Sequence, residues 1–291
     1  TTYYARWETS CGNSVCKSVT VTVYAVPTAS AGNDGPKCAG SSLHFTSSGG
    51  STYAWTGPNG FTSSLQNPAI TSATTAASGT YFVTVTSSQG CTSQASTYAT
   101  VNSLPVVNAY SNSPVCNRET IALTGSGGTS YLWTGPKGFS SNQQNPDILN
   151  ATSDMSGAYN LTVTNANGCS AQRSVPVTVY DALTASLSVG TYAVVYNTSP
   201  GNLTVTASGA AGTYTYLWYR NGISTGVTSQ AYNPGSLTSN STFYCAVTSG
   251  SCGSINTETI EITVLDTPET RTINLSLPVG TTNGSLNVDA T

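Results

Sequence analysis

Residues 27–102 of this 291-residue chain return 78 positions later, at 105–180, without a gap and with 34 identities. The shift lays Pro27 on Pro105, Cys38 on Cys116, Trp55 on Trp133, Tyr81 on Tyr159 and Cys91 on Cys169. The run "YAWTGPNGFTSSLQNPAI" (53–70) comes back as "YLWTGPKGFSSNQQNPDI" (131–148). A more divergent third copy is visible: "NLTVTAS" (202–208) matches "SLHFTSS" and "TIALTGS", and Trp218 stands 85 residues after Trp133. "GSLNVDAT" (284–291) opens like a fourth. A fixed period constrains the fold before anything else, because each copy must be a structural unit.

A unit of about 80 residues with alternating strands every 8–12 residues fits a seven-stranded Greek-key sandwich of the immunoglobulin type. Composition agrees. The chain holds 42 Ser and 48 Thr but only three Lys, five Glu and one Met. Thr, Val and Tyr favour strands, and Ser, Asn and Gly favour turns. The expected class is therefore all-β: tandem immunoglobulin-like sandwiches in an extended rod.

Strand B is expected at 43–46 with Leu43 and Phe45 inward; strand C carries Trp55, strand E begins after "QNP", and strand F is "TYFVTVT" (80–86). Closing strands recur at "SVTVTVYAVP" (18–27) and "TIEITVLDTP" (259–268). This phase predicts five segments. Residues 1–26 are the last two strands of a domain begun upstream; 27–104, 105–182 and 183–267 are whole domains; 268–291 are the first strands of a further one. On this reading the chain is a window on a longer array, and its modules' first partners are adjoining modules of the same chain.

The repeated segment has a folding role at each position. Trp55, Trp133 and Trp218 are expected in the core between the sheets, where truncating such an aromatic typically costs ~3–5 kcal/mol. "GPxG" is a tight turn, and Pro68 suits a strand start or sheet edge. "SGTY" and "SGAY" place Tyr81 and Tyr159 as tyrosine corners. A loop binding a ligand is the competing reading of the same segment.

Eight cysteines in so polar a chain point to an oxidising, extracellular compartment. Cys38 precedes strand B and Cys91 lies in the F–G turn, so both are expected at one pole. This pairs Cys38 with Cys91 and Cys116 with Cys169, closing ~50-residue loops worth roughly 4 kcal/mol each. Cys11 and Cys16 flank "GNSV", and Cys245 and Cys252 flank "AVTSGS"; both read as staples across an F–G hairpin. Zinc would need four suitably spaced ligands, and His44, the single histidine, falls on the outward side of strand B. No metal or cofactor is expected.

Charged residues make up 7% of the chain and the net charge is −3, which leaves no basic stripe for nucleic acid. The sequence has no run of 18 or more apolar residues of the kind that spans a membrane. One histidine and singly scattered acids offer neither a nucleophile–base pair nor paired carboxylates, so no catalytic residue is named. Asp34, alone in "AGNDG", is too little for calcium.

With these residues set out, a resemblance can be stated. "WTGPxGF", "QNPxI", "SGxY" and "VTNANGC" resemble the Ig-like and PKD-like repeats of giant surface proteins of Bacteroidota. "TTYYARWETSCGNSVCKSVTVTV" is similar to Ig-like modules found near type IX secretion sorting domains. The resemblance is specific for residues 1–182 and weaker for 183–267, which lacks the GPxGF turn and the A–B cysteine. It implies export to the cell surface and a structural and adhesive role, in a filament or stalk or in gliding motility. Contact would be multivalent and weak, with glycans or abiotic surfaces. The alternative is a spacer or carbohydrate-binding set in a secreted multidomain glycoside hydrolase. Tyr4, Tyr196 and Tyr219 are the outward aromatics that could contact sugar.

Overall fold

Strand Gly79–Thr86 shows how the pattern becomes structure: Tyr81, Val83 and Val85 are buried while Phe82 between them is exposed. The period of two turns alternate side chains to opposite faces. Leu43–Ser48 repeats this, with Leu43, Phe45 and Ser47 in and His44 out. In a computed structural model, residues 1–210 and 212–266 are described. Among them there are strands and five single-turn 3₁₀ segments, and no α-helix. The expected strands at 268–291 lie outside the described residues.

The chain divides into two compact units, residues 1–115 with 120–178, and residues 116–119 with the chain from Val179 onward. The first unit contains two sandwiches. In the first, one sheet orders Ala69–Ile70, Leu43–Ser48 and Ser30–Asn33, and the other orders Thr92–Ala99, Gly79–Thr86, Thr52–Gly57 and Phe61–Ser63. The opening strand changes sheets. Ser30–Asn33 pairs antiparallel with Leu43–Ser48, and after the cis Gly35–Pro36 bond, Lys37–Cys38 pairs parallel with Val101–Asn102 at the end of the closing strand. Between the sheets Trp55 and Tyr81 pack on Phe45, with ring centroids 5.5 Å and 4.3 Å away.

The second sandwich repeats the plan, with Asn108–Ser111, Ile121–Ser126 and Asp147–Ile148 facing Ser140–Ser141, Ser130–Thr134, Gly157–Thr164 and Ser170–Val177. Its Trp133, Tyr159 and Leu161 are buried. Residues 1–26 form an antiparallel pair, Thr2–Ala5 with Lys17–Thr20, carrying a small hairpin at Glu8–Thr9 and Gly12–Asn13. Tyr3, Tyr4, Trp7 and Val19 of this pair are exposed.

The second unit contains the third sandwich. Thr184–Ser188, Leu203–Ser208 and Ala231–Tyr232 make one sheet, and Ser241–Thr248 pairs with Thr215–Arg220 in the other. Ala193–Val195 runs parallel to Ile260–Leu265. Trp218, Phe243, Val247 and Ile262 fill its core. The closing strand is interrupted at Thr257, whose hydroxyl accepts from the Cys245 amide at 3.0 Å. These are tandem immunoglobulin-like β-sandwiches.

Candidate functional site: the repeated turn and the cysteine joints

The repeated segment is bound into its own sandwich in both copies. Trp55 Nε1 donates to the Gln66 carbonyl at 3.2 Å, and Trp133 Nε1 to that of Gln144 at 3.1 Å. The glutamine side chains reach back to strand B, Gln66 Nε2 to Ser47 O and Gln144 Nε2 to Gly125 O, each at 2.8 Å. Asn67 and Asn145 accept the amides of the same two residues. Copy three keeps the scheme through Ser229 and Gln230: Trp218 Nε1 donates to Ser229 O, and Gln230 Nε2 to Val205 O. "QNP" is therefore a clamp on strand B as well as a strand start, a role that proline geometry alone did not suggest.

The GPxG turn packs on the tyrosine corner. Tyr81 Oη donates to Ala77 O at 2.8 Å and Tyr159 Oη to Met155 O at 3.1 Å; burial pushes both phenols above their ordinary pKa. A Cβ on Gly57 would meet the Tyr81 ring at 2.3 Å, and one on Gly135 the Tyr159 ring at 2.5 Å. Gly79 and Gly157 lie against the turn prolines, Pro58 and Pro136. Beside the turn each copy has a small apolar cleft, of about 250 Å³ at Phe61, Ile70 and Ala73 and about 190 Å³ at Phe139, Ile148 and Met155. Its polar rim is already engaged: Asn59 bonds Ala76 O, and Lys137 bonds Asp154. The segment is used by the fold.

The cysteines depart from expectation. Cys38 is bonded to Cys169 and Cys116 to Cys252, with Cα separations of 5.6 and 5.4 Å, while Cys11, Cys16, Cys91 and Cys245 are free. The pairings Cys38–Cys91, Cys116–Cys169, Cys11–Cys16 and Cys245–Cys252 are thus corrected. The physical reason is the sheet change of the opening strand. Cys38 pairs with Asn102 at the far end of the closing strand, whereas Cys91 sits just before that strand begins at Thr92. Some ten extended residues at ~3.3 Å hold the two roughly 35 Å apart, far beyond disulfide reach. They lie at opposite poles. The pole of copy one that carries Cys38 meets the F–G turn of copy two, where Asn165 Nδ2 also donates to Ser103 O of the connecting residues at 2.9 Å.

Cys245 proves to be a core residue. Opposite the strand-C tryptophans stand Val83, Leu161 and Cys245 in the three copies. Cys245 is fully buried, and burial pushes its thiol pKa up. Cys11 lies in the turn closed by Glu8–Thr9 and Gly12–Asn13, and Cys16 beyond it leads into Lys17–Thr20; both thiols are exposed.

His44 and Asp34 form a surface cluster with Lys37. Asp34 Oδ2 lies 3.0 Å from both His44 Nδ1 and Lys37 Nζ. The His44 amide, the His44 ring and Lys37 hold the Asp34 carboxyl down at about 2. Among the described residues no group of three or more His, Cys, Asp or Glu could hold a metal, and no helix is long and apolar enough to cross a membrane. Tyr4 and Tyr196 are exposed, and Tyr219 stacks on Tyr244 with parallel rings 4.6 Å apart.

No protein-family model matches the chain, and no curated protein matches it significantly. Among solved structures the chain is similar to the N-terminal eight Ig domains of Down Syndrome Cell Adhesion Molecule, isoform 1.30.30, at 15% identity and TM-score 0.54. That alignment covers 91% of this chain and 40% of the other, so the chain spans less than half of that structure. Three N-terminal domains of the bacteriophage RB49 Highly Immunogenic Outer Capsid protein align at 14% identity and TM-score 0.38, over 83% of this chain and 99% of theirs. The first of these likenesses supports the tandem immunoglobulin-like fold, and at such identity it speaks to fold alone.

Proposed function

We propose that this chain is a structural and adhesive repeat segment of a long exported surface protein, built to present surface and not to turn over substrate. The observation that carries the reading is the Cys38–Cys169 bond, which ties one copy to the next across their connection. The tie resists separation of neighbouring copies, which suits a repeat array that carries load. Two disulfides favour an oxidising compartment, hence the cell exterior. The sequence resemblance extends this to a filament or gliding adhesin exported by the type IX route.

With charged residues at 7%, contacts along the array rest on hydroxyl and amide groups, weak singly and strengthened by repetition. Avidity across linked sites reaches ~10²–10⁴ over a single site. The test is retention on polysaccharide and glass of one, two and three tandem copies of the whole chain, at low and high salt. Retention should rise steeply with copy number and change little with salt. Equal retention for one and three copies, or release of sugar from the polysaccharide, overturns the reading.

A second reading has one observation in its favour. The Tyr219–Tyr244 stack lies on the outward face of the third sandwich, where paired aromatics suit a sugar ring. Under this reading the chain is a carbohydrate-binding spacer of a secreted hydrolase. Tyr244→Ala would then abolish polysaccharide retention by a single chain, whereas the array reading leaves most of it.

A further inference from the structure

We infer that Cys91 and the neighbouring run Thr22–Tyr24 form a docking site for an extended Pro-x-Cys segment. The segment lays its backbone along Thr22–Tyr24 and closes a disulfide on Cys91. Three observations meet here. First, Cys91 stands at the position of Cys169, 78 residues on, and Cys169 is bonded to the Pro-x-Cys segment Pro36–Cys38. The third copy does the same, with Cys252 bonded to Pro114–Cys116.

Second, the F–G turn around Cys91 is already shaped as the bonded one is. Ser87 N donates to Cys91 O and Asn165 N to Cys169 O, both at 2.9 Å. The cysteine amides bond back to Ser87 Oγ and Asn165 Oδ1.

Third, the receiving backbone is in place. "VTVYAVP" (21–27) corresponds to "ATVNSLP" (99–105), so Thr22 and Tyr24 stand for Thr100 and Asn102. Thr100 O accepts from Lys37 N at 3.0 Å, and Asn102 O from Ala39 N at 2.8 Å, which brackets Cys38. Cys91 Sγ lies 4.0 Å from Tyr24 O, against the residue corresponding to the one that Cys38 pairs with. Residues 21–29 belong to no strand, and Tyr24 is half exposed. The site therefore offers a backbone register and a half-buried thiol together. Strand addition supplies the affinity and the cysteine the lock.

Both Pro-x-Cys segments of the chain are committed to Cys169 and Cys252, so the ligand is a further segment of this type. Closure proceeds by exchange. The Cys91 thiol gives its proton to solvent, and the thiolate attacks the ligand sulfur of a mixed disulfide. The new S–S bond forms as the old one breaks, and the leaving thiolate departs with the electron pair.

The test uses the 291-residue chain and a synthetic peptide GNDGPKCAG activated as its mixed disulfide with 5-thio-2-nitrobenzoate. The comparison probes are a scrambled peptide of the same composition and one N-methylated at the lysine and at the alanine after cysteine. Release of 5-thio-2-nitrobenzoate gives the rate, and mass-spectrometric mapping gives the site. Cys91 should react at least about tenfold faster with GNDGPKCAG than with either comparison peptide, as expected when strand pairing raises the effective concentration. Cys11 and Cys16 should show no preference, and Cys91→Ser should remove the fast phase. Equal rates at Cys91 for the three peptides overturn the proposal. So does air oxidation of the chain alone giving a Cys91–Cys91 dimer as the main product, because the site would then accept a second copy without a Pro-x-Cys segment.

Discussion

Replacing Cys169 with serine should destabilise the copy that does not contain it. The Cys38–Cys169 bond spans the connection at Ser103–Leu104, so it closes a loop whichever copy opens. If copy two unfolds while copy one stays folded, the tethered loop runs from the connection to Cys169. If copy one unfolds alone, it runs from Cys38 to the connection. Each is about 65 residues, which on the chain-entropy model corresponds to about 4 kcal/mol. Cys169→Ser should therefore lower the stability of copy one, reported by Trp55, as much as that of copy two, reported by Trp133. Cys38→Ser should have the same effect, and the double variant should be no worse than either single one, since all three remove one bond. Urea titrations followed by hydrogen exchange resolved to peptides 43–57 and 121–134 measure the two copies separately. Additive losses, or a copy one indifferent to Cys169→Ser, would refute the reasoning and return the cysteines to pairing within copies.

Trp133→Ala should cost ~3–5 kcal/mol, because the indole is fully buried and its N–H is bonded, read by chemical denaturation. Gly57→Ala should cost more than Gly60→Ala in the same assay. The first Cβ would lie 2.3 Å from the Tyr81 ring and the second meets open space, bearing only the ~1 kcal/mol typical of a left-handed backbone. Tyr81→Phe should lose about 1 kcal/mol, the bond to Ala77 O, with the ring still packed. Asp34 has a carboxyl lowered from 3.8 to about 2, so its contribution is complete above pH ~4 and is lost as the pH falls through 2. Asp34→Asn should flatten the acid limb of a thermal-melt series over that window, modestly because the group is partly exposed.

Local chemistry was legible in the sequence, and long-range pairing was not. Trp55, Tyr81 and the GPxG turn were readable because each carries its reason within a few residues: an indole amid alternating strands, a glycine before proline, a tyrosine after "SG". The clamp by Gln66 was hidden because a glutamine in a Ser-rich loop looks like surface until strand B is seen beside it. The disulfides were misread for a related reason. Which pole Cys38 occupies depends on the opening strand leaving one sheet for the other between Asn33 and Lys37. A Gly-Pro in a turn marks a bend without telling which sheet follows. Cys245 reads as half of a hairpin staple because it flanks "AVTSGS" with Cys252, whereas its alternation with Phe243 and Val247 on one strand face is the signal for the core.

The crosslink from Cys38 to Cys169 also sets how far the chain can be drawn out by tension. Without it, residues 27–182 pulled straight would run to roughly 500–550 Å at ~3.3–3.6 Å per residue. With it, force entering at Pro27 passes from Cys38 to Cys169 through the sulfur bridge. Only the short flanks, about 25 residues and roughly 90 Å, carry load. For a pull between Pro27 and residue 182, the sequence between the two cysteines is slack. Cys116, the start of the second bridge to Cys252, lies inside that slack. Successive bridges therefore overlap like the links of a chain mail row: a pull on Cys252 reaches back through Cys116, and an unfolded module lengthens the chain by only a fraction of its contour.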